Sequence, residues 1–313
     1  MDKKVDLLVR VSELYYEQGL NQSAIADILG TSRPTVSRLL DEAKEDGVVE
    51  VIVHSPIKKD PQLSHRLRVN LGLREAIVVS GNYDYEKGLS RCCEAANQLF
   101  STIIENNKTV GITWGSALKI LCDLIEPKDY YNVNVVQMVG CLATGNPNLD
   151  GLELAFRMAK KLGGTYSNIY APIYVESEVV YSYLVAEPQI EATLKRAMHI
   201  ILTGIGSLDS NTTLQKAGYL TDRDRIDLIG RGAVGHLLAH PFDKDGNEIP
   251  LIGRFAISAP LEAMRAAEWS IGISASEFKA EAVLAAVRGG FINTLVVDQK
   301  LANKVLELAQ EEE

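Results

Sequence analysis

Arg33, Thr35, Ser37 and Arg38 lie close together on a segment whose apolar residues recur at helical spacing. Donors and small hydroxyls on an exposed helix face are the groups that read base edges and grip phosphates in a DNA major groove. The neighbouring residues predict how that face is held. Ser32 suits an N-cap and Pro34 the first turn of a helix over Arg33–Glu45. A shorter helix, Gln22–Leu29, precedes it, with Ala26 as the small residue at the contact and Gly30 permitting a left-handed turn. Ile25, Val36, Leu39 and Leu40 supply the inner face. The pattern predicts a helix-turn-helix with Arg33, Thr35, Ser37 and Arg38 as DNA contacts and Lys44 as a lesser one. The competing reading is a helical hairpin whose small residues only permit close packing. DEAKED, past the helix, reads as a solvated face.

A second chemistry lies further on. GITWGSALKI places Thr113, Gly115 and Ser116 between an apolar strand and a predicted helix, where backbone N–H groups and the helix dipole favour an anion. TGIGSLDSNTTL repeats this with Gly204, Gly206 and Ser207. One such loop alone would be an ordinary α/β turn; two at strand ends point to an anion site. Trp114 stacks on a sugar or fills core, and its type does not decide which. Gln137 and Cys141 bracket the strand end VVQMVGC and are expected to line the same crevice. His236 and His240 would face one side of a single strand about 13 Å apart. With no HExxH and no third ligand, no metal site or cofactor is expected. No GxSxG, Walker loop or paired catalytic carboxylates occur, so no catalytic residue is assigned. If the chain were an enzyme, Glu176, Glu178 and His236 would be its candidate bases.

These groups need scaffolding. An amphipathic helix over residues 4–19 is predicted, with Val5, Leu8, Val9, Ser12, Tyr15 and Tyr16 inward and Gly19 as its stop. After Gly47 the stretch VVEVIVHSP alternates like a strand, and Pro56 with IKKDP marks a boundary between domains at 1–56 and 57–313. Leu63, Leu67 and Leu71 suggest a connecting helix. Beyond it REAIVVSG, TVGIT, VNVVQMVG, HIILTGIG, SIGISAS and INTLVVD alternate with helical segments. Apolar runs of that kind are strands buried on both faces, which predicts an α/β fold with a doubly wound, mainly parallel sheet. FDKDGNEI carries the Asp-Gly chemistry of a hairpin.

Composition limits the function classes. The net charge is −9, and residues 1–55 hold six basic side chains against ten acidic ones. Phosphate neutralisation supplies much of DNA affinity, so this module should bind weakly alone and act in several copies. A structural or nucleoid-binding role is disfavoured for the same reason. No run approaches the roughly 18 apolar residues of a membrane span, and the N-terminus lacks a signal-peptide pattern; a cytoplasmic protein is expected. Cys92, Cys93, Cys122 and Cys141 show no paired spacing and read as buried thiols.

YYEQGLNQSAIADILGTSRPTVSRLLDEAKEDGVVEV resembles the N-terminus of the SorC family of bacterial sugar-binding transcriptional regulators. The similarity continues through VGITWGSAL, VVQMVG, TGIGSL and GRGAVGHLLAHPFDKDGN to SIGISASEFKAEAVLAAVRGGFINTLVVDQ, so it covers essentially the whole chain. The resemblance implies a winged helix-turn-helix joined to an effector domain like the sugar-phosphate isomerases and deaminases. It implies a phosphorylated sugar or polyol as effector, and a homotetramer on a palindromic or doubled operator. It also implies Lys279 as a phosphate ligand and Arg254 as a second cation. His236 stands where the family commonly has an aspartate, so an acceptor for sugar hydroxyls has become an imidazole, which implies an effector that is more anionic or different in stereochemistry. The strand NVVQMVGC has no lysine, which removes any expectation of a Schiff base there. The function expected is a regulator of carbohydrate metabolism; the alternative is a sugar-phosphate enzyme with an appended DNA-binding domain.

Overall fold

A computed structural model describes residues 3–49, 56–142, 147–208, 213–216 and 218–311. The chain divides into two compact units, Met1–Pro56 and Ile57–Glu313.

The smaller unit holds helices α1 (Lys3–Ser12), α2 (Gln22–Leu29) and α3 (Arg33–Glu45). Asn21 and Ser32 cap α2 and α3 through their side chains, and Gly30 turns between them at φ +64°. Val11, Ile25, Ala26, Val36 and Leu40 form its core. The first helix differs from expectation: it ends at Ser12 and runs on as a π-turn over Glu13–Glu17. The inward stripe is Leu8, Val11 and Ser12, whereas Val5 is 46% and Tyr16 43% exposed and Val9 is exposed as well. A π-turn inserts one extra residue per turn and rotates the positions after it. The Ser12 hydroxyl donates to the Leu8 carbonyl at that transition. Most of the strand expected over residues 48–56, and the wing implied by resemblance, lie outside the described residues.

The larger unit is built on seven strands: β1 (Glu75–Val79), β2 (Thr109–Ile112), β3 (Asn134–Gln137), β4 (Thr165–Ser167), β6 (Ile200–Gly204), β11 (Trp269–Ser274) and β12 (Thr294–Asp298). Two-residue β5 (Tyr174–Val175) pairs outside this sheet with β10 (Phe255–Ala256). The main sheet runs β1-β12-β11-β6-β2-β3-β4 with parallel pairs throughout. All six apolar runs became strands of it. The seventh strand, β4, reads Thr-Tyr-Ser and had no apolar signal, because it sits at an edge with little to bury.

Helices cover both faces. Leu63 and Leu67 of α4 (Pro61–Asn70) join one core with residues of α13 (Ala280–Arg288) and α14 (Gln299–Glu311). The opposite core takes α5 (Tyr85–Ile103), α6 (Ser116–Leu124) and α7 (Gly151–Lys161). Along β12, Val296 faces that second core while Leu295 and Val297 face the first, as strand alternation demands. The helix expected as a connector is therefore part of the larger unit's core. Helices α8 (Glu178–Val185), α9 (Pro188–Leu194), α10 (Thr213–Lys216), α11 (Asp222–Gly230) and α12 (Glu262–Ala266) lie in the segments between the later strands.

A small antiparallel sheet, β7 (Gly206–Ser207), β8 (Ala233–Leu237) and β9 (His240–Asp243), completes the unit. GHLLAHPF is not one strand, as expected, but a hairpin that turns at Leu238 and Ala239, both with positive φ. His236 pairs with Pro241 and Leu237 with His240, so the two histidines stand on opposite arms. Neither turn residue is a usual left-handed type; both are almost fully buried, and packing holds the conformation. The Asp-Gly signal marks a further turn, where Asp243 accepts from the backbone of Asp245 and Asn247.

Gly246 closes that turn at φ +82°, and a β-carbon there would overlap the backbone of Gly289. Gly246→Ala should lower the stability of the larger unit by roughly 2 kcal/mol or more. Urea unfolding of the intact protein checks this.

Candidate functional site

On α3, Arg33 and Arg38 are exposed, and among the described residues neither forms an ion pair. Ser37 and Thr35 are half-buried. The Thr35 hydroxyl shares a hydrogen bond with Ser32 Oγ, whose oxygen also accepts from the Thr35 N–H, so Thr35 helps to build the cap. Lys44 pairs with Asp41 at 3.6 Å. The two arginines and Ser37 are thus the polar side chains of the expected set that this face leaves at least partly exposed and outside the cap.

In the larger unit the strands end together at one edge. Most of its helices have their first turn closed by a side chain: Asp60, Asp84, Asp150, Ser177, Glu187 and Thr221 cap α4, α5, α7, α8, α9 and α11. At α6, which follows β2, no side chain caps the first turn; α13 is entered from a 3₁₀ turn after β11 that also lacks a side-chain cap, but there the Ala280 N–H already donates to the Glu277 carbonyl. An uncapped first turn keeps N–H groups and partial positive charge available to an anion. At α6 the cap position is Gly115 (φ +98°), and Ser116 is exposed on the first helical residue. Buried Thr113 shares a 3.1 Å hydrogen bond with Thr203, tying the ends of β2 and β6 together. Gly204 lies beside the first turn of α6, where a β-carbon would come 3.7 Å from Ala117.

The second glycine loop has another role than expected. Gly206 and Ser207 do not open a helix; they form β7 and pair with His236 and Gly235 of β8. A β-carbon on Gly206 would overlap the His236 imidazole, so this glycine makes room for a side chain rather than for a ligand. The other face of the imidazole stacks on Trp114, with ring centroids 6.4 Å apart and planes 12° from parallel. His236 is 8% exposed, and its Nδ1 is buried with no hydrogen-bond partner. Burial, and then the nearby Lys279 ammonium, push its pKa down to about 4.

Lys279 ends a 3₁₀ turn over Glu277–Lys279 immediately before α13. Its Nζ donates to the Ile205 carbonyl at 3.0 Å and lies 5.7 Å over the Tyr85 ring. Ser276 enters this turn at φ +75°, a conformation costly for a residue with a β-carbon, and Asp298 Oδ1 holds it through the Ser276 N–H. Thr113, Trp114, Gly115, Ser116, Gly204, Gly206, His236 and Lys279 therefore lie near one another at the strand ends. Tyr85 and Phe278 join them, 5.7 Å apart and 38% and 51% exposed. Sequence reading missed these two. Tyr85 stands far from Lys279 along the chain, and no local pattern marks the pair.

Two expected ligands have their polar atoms taken up by the protein itself. Gln137 is fully buried; its Oε1 accepts from the Ile169 N–H and its Nε2 points at Cys141 Sγ, fastening β3 to the segment after β4. Arg254 is held by Asp224 at 3.2 Å and donates to the Tyr219 carbonyl. It lines a separate cavity of about 190 Å³ with Tyr174, Tyr181, His240 and Glu248. There His240 bonds Glu248 through Nδ1 and Ser258 through Nε2, each at 2.6 Å. The chain of groups has the order of a nucleophile triad. Ser258 is not part of the cavity wall, however, and its hydroxyl also reaches the Ala259 carbonyl. Glu176 and Glu178 are exposed. No cluster of three or more metal-ligating side chains occurs among the described residues, and no helix among them is long and apolar enough to cross a membrane.

Comparison with known proteins gives a consistent answer. Residues 55–307 match the family described as "Putative sugar-binding domain", and residues 6–61 match the Crp-like helix-turn-helix domain. The deoxyribonucleoside regulator of Bacillus subtilis is 27% identical, over 98% of this chain and 99% of its own. The sorbitol operon regulator of Klebsiella pneumoniae is 25% identical, over 97% and 98%. The crystal structure of the full-length Klebsiella sorbitol operon regulator SorC superposes with a TM-score of 0.74 at 24% identity, covering 98% of this chain and 99% of that one.

The depressed pKa of His236 has a stability consequence. Above pH 6.5 the ring is neutral in both folded and unfolded chain. As pH falls from 6.5 toward 4, the unfolded chain takes up a proton that the folded chain refuses, so stability is lost. The gap corresponds to about 3 kcal/mol. Urea unfolding at pH 7.5 and 4.5 should show His236→Gln losing less stability on acidification than the parent, by about that amount.

Proposed function

The chain belongs to the SorC family of transcriptional regulators, a helix-turn-helix joined to a sugar-binding domain, and from that premise we propose that a phosphorylated sugar or polyol controls its binding to operator DNA. The observation that carries this reading is the uncapped start of α6 after β2, with Ser116 exposed, and the Lys279 ammonium held on the Ile205 carbonyl just after the neighbouring strand β6. A phosphate accepts several N–H and hydroxyl donors at once and is stabilised by the helix ends and the ammonium. Trp114 and His236 form the wall beside it and would face the carbon chain of the ligand.

The DNA-binding end favours an assembly. The acidic surroundings of α3 leave Arg33 and Arg38 as its exposed cations outside an ion pair among the described residues, so affinity must come from several recognition helices bound together. A homotetramer on a palindromic or doubled operator, in the cytoplasm, fits that need. For the effector to act as a switch, it must bind the DNA-competent and DNA-incompetent arrangements unequally. We assign no turnover to these residues, since among the described residues no carboxylate partners the His236 imidazole.

Thermal unfolding of the intact protein against a panel of phosphorylated sugars and polyols tests the reading. At least one phosphate ester should raise the transition by several degrees while its unphosphorylated parent does not. A panel that leaves the transition unmoved overturns the effector assignment, and conversion of a panel member above background overturns the non-catalytic one.

Arg38→Ala should weaken binding to the specific operator roughly 10- to 100-fold, the loss of one good base or phosphate contact, with effector binding unchanged. Electrophoretic mobility shifts measure the first and calorimetry the second. Lys279→Ala should weaken the effector at least ~10-fold, as expected for a charge-assisted hydrogen bond, and leave DNA binding without effector intact. A dose–response of operator release or capture checks this.

A further inference from the structure

We propose that the cavity walled by the β8–β9 hairpin, β5, β10 and α8 is a second ligand site, and that it takes a small methylated ammonium, a cation of the choline type. None of the residues around Ser116 and Lys279 lines this cavity, so the site stands apart from the effector reading. Its volume of about 190 Å³ equals roughly six waters at about 30 Å³ each, the size of a small metabolite.

Three aromatic side chains, Tyr174, Tyr181 and Phe255, form part of the wall. Tyr181 and Phe255 lie 5.5 Å apart with planes 31° from parallel. Tyr174 is anchored by its hydroxyl, which donates to the Ala239 carbonyl at 2.6 Å. The faces of such rings carry partial negative charge and attract a cation that sheds its water easily. Pro241 and Pro250 line the cavity as well. Neither has an N–H to offer, and their carbonyls already accept from the Ile249 N–H and from Arg231. What remains of them is C–H surface, against which methyl groups pack.

The charges of the wall select the sign of the ligand. Arg254 is matched within the protein, by Asp224 at 3.2 Å and by the Tyr219 carbonyl. Glu248 is the carboxylate of the wall, and its side chain is 45% exposed. Its Oε1 lies 2.6 Å from His240 Nδ1, and that hydrogen bond holds its pKa below the usual carboxylate range. Ser258 Oγ stands 2.6 Å from the other ring nitrogen, so a neutral imidazole makes both bonds and Glu248 keeps its charge. The second carboxylate oxygen has no partner among the described residues. An anion would meet this carboxylate. A plain ammonium would find one carboxylate for three N–H donors, with ring and proline surface around the rest. Methyl groups in place of those hydrogens remove the deficit: they pack on the rings and prolines while the charge faces Glu248.

Titration calorimetry and proton NMR of the intact protein with choline test this, with two controls on the same skeleton. Ethanolamine carries an unmethylated ammonium, and 3,3-dimethylbutanol puts carbon in place of the charged nitrogen. Choline should bind saturably and at least ~10-fold tighter than either control, the fold-change of one desolvated cation–π contact. Its methyl signal should move upfield on binding, because the ring faces shield it. Glu248→Gln and Tyr181→Ala should each weaken choline at least ~10-fold. Equal binding of dimethylbutanol means an apolar cavity indifferent to charge, and tighter binding of ethanolamine means a simple carboxylate–amine pair. Either result overturns the proposal, as does the absence of saturable choline binding. If Tyr181→Ala does not fold, the ranking of the three ligands on the parent protein still decides, together with Glu248→Gln at a half-exposed side chain.

Discussion

A parallel sheet covered by helices on both faces can present polar groups only at its two ends, and the chemistry of the larger unit follows from that constraint. The strands from β12 to β2 are almost wholly apolar and buried, so no functional side chain can project from their middles. Parallel pairing then makes β2, β6 and β11 end at one edge, where the chain must turn into helices or loops. Two helices that start there lack the side-chain caps found on most of the others. Of the two, α6 has the open first turn, whose N–H groups must be satisfied by solvent or a ligand.

The same edge explains why glycine is concentrated there, with different consequences at each position. Gly115 turns the chain into α6 at positive φ, a backbone requirement. Gly206 has no such need; its lack of a side chain accommodates His236 from a neighbouring strand. The imidazole, the indole of Trp114 and the ammonium of Lys279 come from three distant parts of the sequence and meet because β8 folds back on β7. The β7–β8 pairing is thus as important to this group of residues as the central sheet.

The DNA-binding unit follows a different logic. Its core of five small-to-medium apolar residues positions α3 without help from charge, which leaves the outer face to Arg33, Ser37 and Arg38. The excess of acidic residues around it weakens any single module. Weak heads that bind only together make operator occupancy sensitive to how copies are arranged, a useful property where a ligand is to control it.

The helix-turn-helix was legible in the sequence because its determinants are local: a cap at Ser32, a left-handed glycine at position 30 and apolar residues at helical spacing. The six buried strands were legible for a similar reason, since an apolar run without polar alternation has few other homes than a doubly covered sheet. The charge deficit of the module and the glycine-led start of a helix at Gly115 and Ser116 were also fixed by residue type and neighbours. Tertiary structure alone decided the rest. It set Gln137 and Arg254 to fastening strands and loops, because burial and a nearby Asp224 took up their polar atoms. It split GHLLAHPF into a hairpin, because packing around Leu238 and Ala239 outweighs their weak turn preference. And it enclosed His236 between Gly206 and Trp114, where the ring's charge depends on desolvation by residues that no local pattern brings together.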